Sequence, residues 1–283
     1  MLLTEITESD IRLQLQRTTA GRPTKEIMLT CFSQVFRSAH GDRLVNWNPA
    51  CNIRLDSEQK RDKRRALTKY ELECIRKTEL TKEENCYVSL LLYTGCRRGE
   101  ILGLTKADIN LQKRQININK AVKYPASGVI EISAPKTSAG YRTIPIYEPL
   151  FPVLRDYLQS LRTEYLFTRK DAQTGKCCVL TQSGAQRFWK KIYNKVSDTA
   201  RMEILSGNLP DVIDLENPLR GLGPHYFRHN LTTILYYSGV DIKDTSKLLG
   251  HANVSTTLDL YTHLDEEKAA ANTDKVNCFL SSY

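Results

Sequence analysis

The stretch Leu248-Leu249-Gly250-His251-Ala252-Asn253-Val254-Ser255-Thr256-Thr257-Leu258-Asp259-Leu260-Tyr261-Thr262-His263 sets a tyrosine a short distance after a histidine. Upstream, Thr94-Gly95-Cys96-Arg97-Arg98-Gly99-Glu100 and His225-Tyr226-Phe227-Arg228 carry arginines beside a turn and a helix start, and Pro135-Lys136-Thr137 places a lysine in a turn. A guanidinium presents five N–H donors in a fork matched to phosphate oxygens, so Arg97, Arg228, Lys136 and a histidine would make a cationic cage for one phosphate. Taken singly, each residue has an ordinary explanation: Arg97 as a helix-capping ion pair, Lys136 as an exposed turn lysine, Tyr261 as a packed aromatic. Glu100, one helical turn after Arg97, is placed to orient that guanidinium. His225 and His229 have the i, i+4 spacing of metal ligands, but no Glu or Cys completes a zinc set, and no metal is expected. No GxxxxGK[ST] loop is present for a nucleotide.

The joint order decides between these readings. Arg97, Lys136, His225-Tyr226-Phe227-Arg228, His251 and Tyr261 follow one another in an order that resembles the tyrosine recombinases of the phage and transposon integrase family. The pieces Thr-Gly-x-Arg-x-x-Glu and Leu-Gly-His-x-x-x-x-Thr-Thr-x-x-x-Tyr carry that resemblance, and Phe227 replaces the leucine usual before the second arginine. It implies a site-specific DNA recombinase that cuts and rejoins strands through a 3′-phosphotyrosyl intermediate, with neither metal nor ATP as cofactor. Tyr261 would attack phosphorus, while Arg97, Arg228 and His251 bind the charge that develops on the non-bridging oxygens. A phenol with a pKa near about 10 needs its proton removed, and His225 is the candidate base. Lys136 would protonate the departing 5′-oxygen. The resemblance also implies a homo-tetramer on paired double-stranded DNA sites, accessory or directionality factors, and a tail that docks on a neighbouring protomer.

The elements needed to position these residues are legible in the periodicity. Apolar residues recur every three or four positions in two helices between residues 9 and 40, through Ile11, Leu13 and Leu15 and then Ile27, Met28, Cys31, Phe32, Val35 and Phe36. Residues 1–58 are expected to be a partial core-binding helical domain. A basic run follows, in which Lys60, Arg61, Lys63, Arg64 and Arg65 suit a strap along a phosphate backbone, and 59–67 is read as a linker. Thr68 with Glu71 forms a capping-box pattern that opens a catalytic domain over 68–264. Alternating segments at 115–119, 129–133 and 142–146 predict a three-stranded antiparallel sheet with Lys136 at its second turn. Helices are expected over 150–161, 183–196, 226–238, 242–249 and 255–261, with 197–223 as an irregular connection and 265–283 as a tail helix. The fold class is therefore mainly α with a small three-stranded antiparallel β-sheet.

Composition sets the partner class. The formal net charge of +9 and pI near 9.1 favour a polyanion, because clustered lysine and arginine release counterions from nucleic acid. The 8 cysteines form no CxxC pair and read as reduced, buried thiols, which with the absence of a signal-like apolar run points to a cytoplasmic setting and no membrane.

Overall fold

A computed structural model of the chain describes residues 2–55, 66–135, 137–171, 174–207, 218–219, 222–251, 253–255, 257–258, 261–262 and 264. The chain divides into two compact units, Met1–Lys63 and Arg64–Tyr283.

The first unit contains α1 (Glu8–Arg17) and α2 (Arg22–Gly41). Thr7 caps α1 through a reciprocal bond with Asp10, and Pro23 in the first turn of α2 supplies a preset φ where a missing N–H does no harm. Ile11, Leu15, Phe36, Ala50 and Ile53 form its core. The expected apolar stripe is only partly inward, since Leu13, Ile27 and Val35 are exposed.

The second unit begins with α3 (Lys69–Lys77), opened by the expected Thr68–Glu71 capping box. Next come α4 (Lys82–Thr94) and α5 (Arg98–Leu102), separated by a turn at Gly95 and Cys96. Gly95 sits at φ 59°, and a Cβ there would lie 2.8 Å from Leu249 Cδ2, so the turn requires glycine on both counts. Leu90 and Leu91 of α4 are fully buried, each contributing roughly 1.5–3 kcal/mol of apolar transfer energy.

The strands follow, and here the expected sheet is corrected. β1 (Ile109–Asn110), β2 (Gln115–Ile118) and β5 (Arg142–Pro145) form a three-stranded antiparallel sheet in the order β1-β2-β5. The segment at 129–133 is not its middle strand: β4 (Glu131–Ser133) pairs instead with β3 (Ala121–Lys123), with Val122 opposite Ile132. Alternation marks a strand but not its partner, and Ile132 and Val129 are exposed rather than inward. The connection carrying Lys136 therefore joins two separate sheets instead of closing a hairpin. A further hairpin, β6 (Thr168–Lys170) with β7 (Cys177–Val179), had no clear alternation in the sequence.

The remaining helices are α6 (Leu150–Ser160), α7 (Gln182–Leu205), α8 (Pro224–Tyr237) and α9 (Ile242–Leu249). The helix of α7 runs on through 197–205, where an irregular connection was expected, because Val196 and Ala200 continue its buried face. Phe227, the departure from the family's leucine, is buried edge-on against Trp189 at 5.8 Å between ring centroids. Cys74, Cys86 and Cys96 are buried as expected, whereas Cys31, Cys51 and Cys177 are exposed. Among the described residues no helix is long and apolar enough to cross a membrane. The basic run Lys60, Arg61, Lys63, Arg64 and Arg65 and the tail 265–283 lie outside the described residues.

Candidate active site

Three arginines from three distant parts of the chain meet at the C-terminal end of α9. The last carbonyls of a helix have no partner within it and carry the negative end of its dipole, so they attract cations. Here Leu248 O accepts from Arg142 Nε at 2.8 Å, Leu249 O from Arg228 Nη2 at 2.7 Å, and Gly250 O from the Arg97 guanidinium at 3.3 and 3.4 Å. Successive carbonyls thus hold one guanidinium each.

The chain leaves α9 through a Schellman turn, with Gly250 at φ 69°, its N–H bonded to Lys247 O and the His251 N–H bonded to Ser246 O. A Cβ at Gly250 would lie 2.8 Å from Arg142 Nη1. The turn fixes His251 directly beside the arginines.

Glu100 organises the positive charges. It accepts from Arg97 N at 2.8 Å and from Arg97 Nη1 at 3.0 Å, which is the orienting contact expected from the sequence. Its other partner, Arg142, was not anticipated: Nη2 and Nη1 reach the two carboxylate oxygens at 2.8 and 3.2 Å, with both side chains under a tenth exposed. The signal was present, since Arg142 is in phase with the inward-facing Ile144 of β5, and a charged residue on a core-facing position demands a buried partner. Burial alone would raise the Glu100 carboxyl, but the hydrogen bonds and charge of Arg142, and then of Arg97, hold it below its ordinary value.

Arg228, buried to 8% exposure, also donates to Gly95 O at 2.8 Å. Burial, followed by repulsion from Arg97, pulls it down to about 10, the mark of a site with excess positive charge. Two of its five N–H groups are used in these bonds, which leaves donors for an anion. The Arg97 side chain is 46% exposed and faces solvent beyond its Glu100 contact. His251 is pushed down to about 4 by burial and then by Arg228, Arg97, Arg142 and His229, so at neutral pH it is an uncharged imidazole. Its Nδ1 lies 2.7 Å from Thr257 Oγ1.

Arg97, Glu100, Arg228 and His251 are therefore brought together, as the sequence suggested. His225 lies exposed in the first turn of α8, on the same turn as buried Arg228. Lys136 lies outside the described residues.

Tyr261 is placed differently from expectation. Expected to attack phosphorus, it is instead packed away and only 8% exposed. Its hydroxyl is 2.8 Å from Thr245 Oγ1 and donates to Val240 O at 3.4 Å, and its ring meets Tyr236 edge-on at 4.9 Å. Thr245 lies one turn before Leu249, so about 6 Å of helix rise separates the phenol's anchor from the arginine cluster. Tyr237, the last residue of α8, is 60% exposed.

This architecture is found in known proteins. The Tn1549 transposon integrase, solved in complex with a circular intermediate DNA, shares the fold with a TM-score of 0.72 at 19% identity, over 97% of this chain and 86% of that one. The "Tyrosine recombinase XerC-like" protein of Caldanaerobacter subterraneus subsp. tengcongensis is 28% identical over 196 residues, which is 60% of this chain and 43% of that protein. The ICEBs1 integrase of Bacillus subtilis is 25% identical over 287 residues, 96% of this chain and 70% of the relative. The chain thus spans less than half of the first relative's length and more than two thirds of the second's. Residues 65–268 match the Phage integrase family, and with the arginine cluster, His251 and Tyr261 all inside that span, the chain belongs to it.

Proposed function

We propose that this protein is a site-specific DNA recombinase, an integrase that cuts and rejoins strands for integration and excision of a phage or mobile element. The observation that carries the reading is the end of α9, where two guanidiniums with spare donors and a neutral histidine gather one helical turn beyond Thr245, the threonine that holds the Tyr261 hydroxyl.

A phosphodiester under attack acquires extra negative charge on its non-bridging oxygens, and donors fixed in advance lower that barrier without reorganisation. Arg97 and Arg228 hold those oxygens, and His251 donates a further hydrogen bond. The Tyr261 oxygen forms a bond to phosphorus as the bond to the 5′-oxygen breaks. His225 takes the phenolic proton, and Lys136 gives one to the leaving 5′-oxygen. The bond energy is retained in the 3′-phosphotyrosine, so the reverse attack by a 5′-hydroxyl rejoins the strand without an external energy source. For this to occur Tyr261 exchanges its Thr245 contact for the phosphate. The preformed cluster and the parked phenol support a cage that is ready before its nucleophile.

The partner is double-stranded DNA, bound by a homo-tetramer on paired sites, with Lys60, Arg61, Lys63, Arg64 and Arg65 neutralising backbone phosphates from the stretch of chain that follows a helical core-binding region (1–58) and leads into the catalytic domain (68–264). Segment 265–283 docks on a neighbouring protomer, and accessory factors set direction. The setting is cytoplasmic. The test is a duplex nicked just beyond the scission point, whose short 5′ fragment diffuses away and traps the adduct. A covalent protein–DNA species absent from Tyr261→Phe is expected. Its absence from the wild type, or its persistence in Tyr261→Phe, removes the reading. A single-site substrate that relaxes supercoils without exchange would identify a nicking-closing enzyme instead.

A further inference from the structure

We infer that Thr257 is a positioning residue that selects the tautomer of His251, holding the imidazole with its proton on Nε2. The inference deepens the recombinase reading and rests on it for its consequence, though not for its geometry.

Thr257 is completely buried, and its Oγ1 lies 2.7 Å from His251 Nδ1. An uncharged imidazole has one nitrogen that donates and one that accepts, so the contact permits two arrangements. In the first, the hydroxyl donates to a bare Nδ1, and the ring proton resides on Nε2. In the second, Nδ1–H donates to the hydroxyl, whose own proton must then find another acceptor. Threonines in helices ordinarily place that proton on the carbonyl one turn back, as Thr232 does on Arg228 O and Thr233 on His229 O. Thr257 makes no such bond among the described residues, and His251 Nδ1 is its hydroxyl's partner. The second arrangement would leave a buried O–H without an acceptor, which proteins avoid. The first satisfies it. The charge state that makes this choice meaningful is itself built in, because burial and three neighbouring arginines keep the ring neutral.

The consequence is chemical. With the proton on Nε2, His251 faces an incoming anion as a donor. With it on Nδ1, the same nitrogen would present a lone pair to a phosphate oxygen and repel it. Neutral histidine is thus a useful ligand for the phosphate in one tautomer only, and the residue that fixes the tautomer sits four residues before Tyr261 in the sequence. One hydroxyl ties the cage's hydrogen-bond polarity to the arrival of the nucleophile's own segment.

The full chain labelled with 15N-histidine separates the two tautomers by the chemical shifts of Nδ1 and Nε2 at pH 7, His251 being assigned by the signal lost in His251→Asn. Expected results are an Nε2–H ring in the wild type and in Thr257→Ser, and loss of that preference in Thr257→Val, which keeps the shape but not the hydroxyl. On the nicked duplex, Thr257→Val slows adduct formation on the order of ten- to a hundredfold with the half-saturating DNA concentration unchanged, and Thr257→Ser restores the rate. A wild-type ring protonated on Nδ1, or a Thr257→Val protein with an unchanged tautomer, overturns the inference. If Thr257→Val does not fold, the wild-type and Thr257→Ser spectra decide. Failure of the wild type to form any adduct would remove the recombinase reading while leaving the tautomer readable.

Discussion

Replacing Arg142 by glutamine removes the guanidinium that joins β5 to both Glu100 and the end of α9. Breaking a buried ion pair by deleting one partner generally costs about 3–5 kcal/mol, because the other charge stays buried. Glu100 retains Arg97 at 3.0 Å and the Arg97 N–H at 2.8 Å, so the low end applies, about 3 kcal/mol. For a unit the size of Arg64–Tyr283, at roughly 2–4 °C per kcal/mol, this is a fall in Tm of about 6–12 °C. The pair's own coupling is isolated by adding Glu100→Gln. The double variant should be more stable than the sum of the single losses predicts, by about 1.5 kcal/mol or more, since residues in one network couple by roughly 0.5–3 kcal/mol.

The sign of the pH dependence follows from Glu100. Its carboxyl is held below its ordinary value in the folded state, so its contribution is fully present above about pH 4.3 and is lost as pH falls through the folded value. The gap between wild type and Arg142→Gln is therefore wide at pH 7 and narrows below pH 4. Thermal and urea unfolding followed by circular dichroism measure it. A loss under about 1 kcal/mol, strict additivity with Glu100→Gln, or a gap that grows in acid would refute this account of the site's support.

Gly250→Ala places a side chain at φ 69° and its Cβ 2.8 Å from Arg142 Nη1, so stability should fall by at least about 1 kcal/mol and adduct formation by more than stability alone explains; cleavage within twofold of wild type would count against the clamp at the end of α9. Thr245→Val removes the buried hydroxyl 2.8 Å from the Tyr261 phenol, and nitration of Tyr261, mapped by mass spectrometry, should quicken several-fold; an unchanged rate means other contacts hold the ring. His251 is depressed to about 4, against an unfolded value near about 6.5, so the unfolded chain binds the extra proton between those values. Stability from this group is complete above pH 6.5 and declines toward pH 4, and His251→Gln should flatten the unfolding profile in that window.

Much of this site was legible because its members sit on local motifs with fixed spacing. Arg97 caps α5 with Glu100 one turn further on, and His251 follows a glycine that ends α9, so short-range geometry alone gives their local arrangement. Arg142 escaped because its importance comes from β5 register, where Ile118 faces Arg142, and from contacts to residues 42 and 106 positions away along the chain. The strand at 129–133 was recognised as extended but assigned to the wrong sheet for a related reason: alternation records which face is buried and says nothing about the neighbour. Thr245 gave no signal and Thr257 stood out only as a letter of the motif before Tyr261, as a threonine hydroxyl acquires a role only from what the fold sets opposite it. The packed position of Tyr261 was not legible either, since a buried phenol and a free one have the same sequence.

The bonds at the end of α9 join positions separated by 21, 106 and 153 residues along the chain, and Arg228 is tied in turn to Gly95, 133 residues away. No fragment that stops short of Gly250 contains all three of the helix-end acceptors for Arg142, Arg228 and Arg97, so the cage is completed only when the end of α9 has been made. Long-range closure of this kind comes late because its loop entropy must be overcome before the contacts return any stability. For the proposed recombinase, late assembly is a safeguard: a partly unfolded chain carries every required side chain and still lacks the cage.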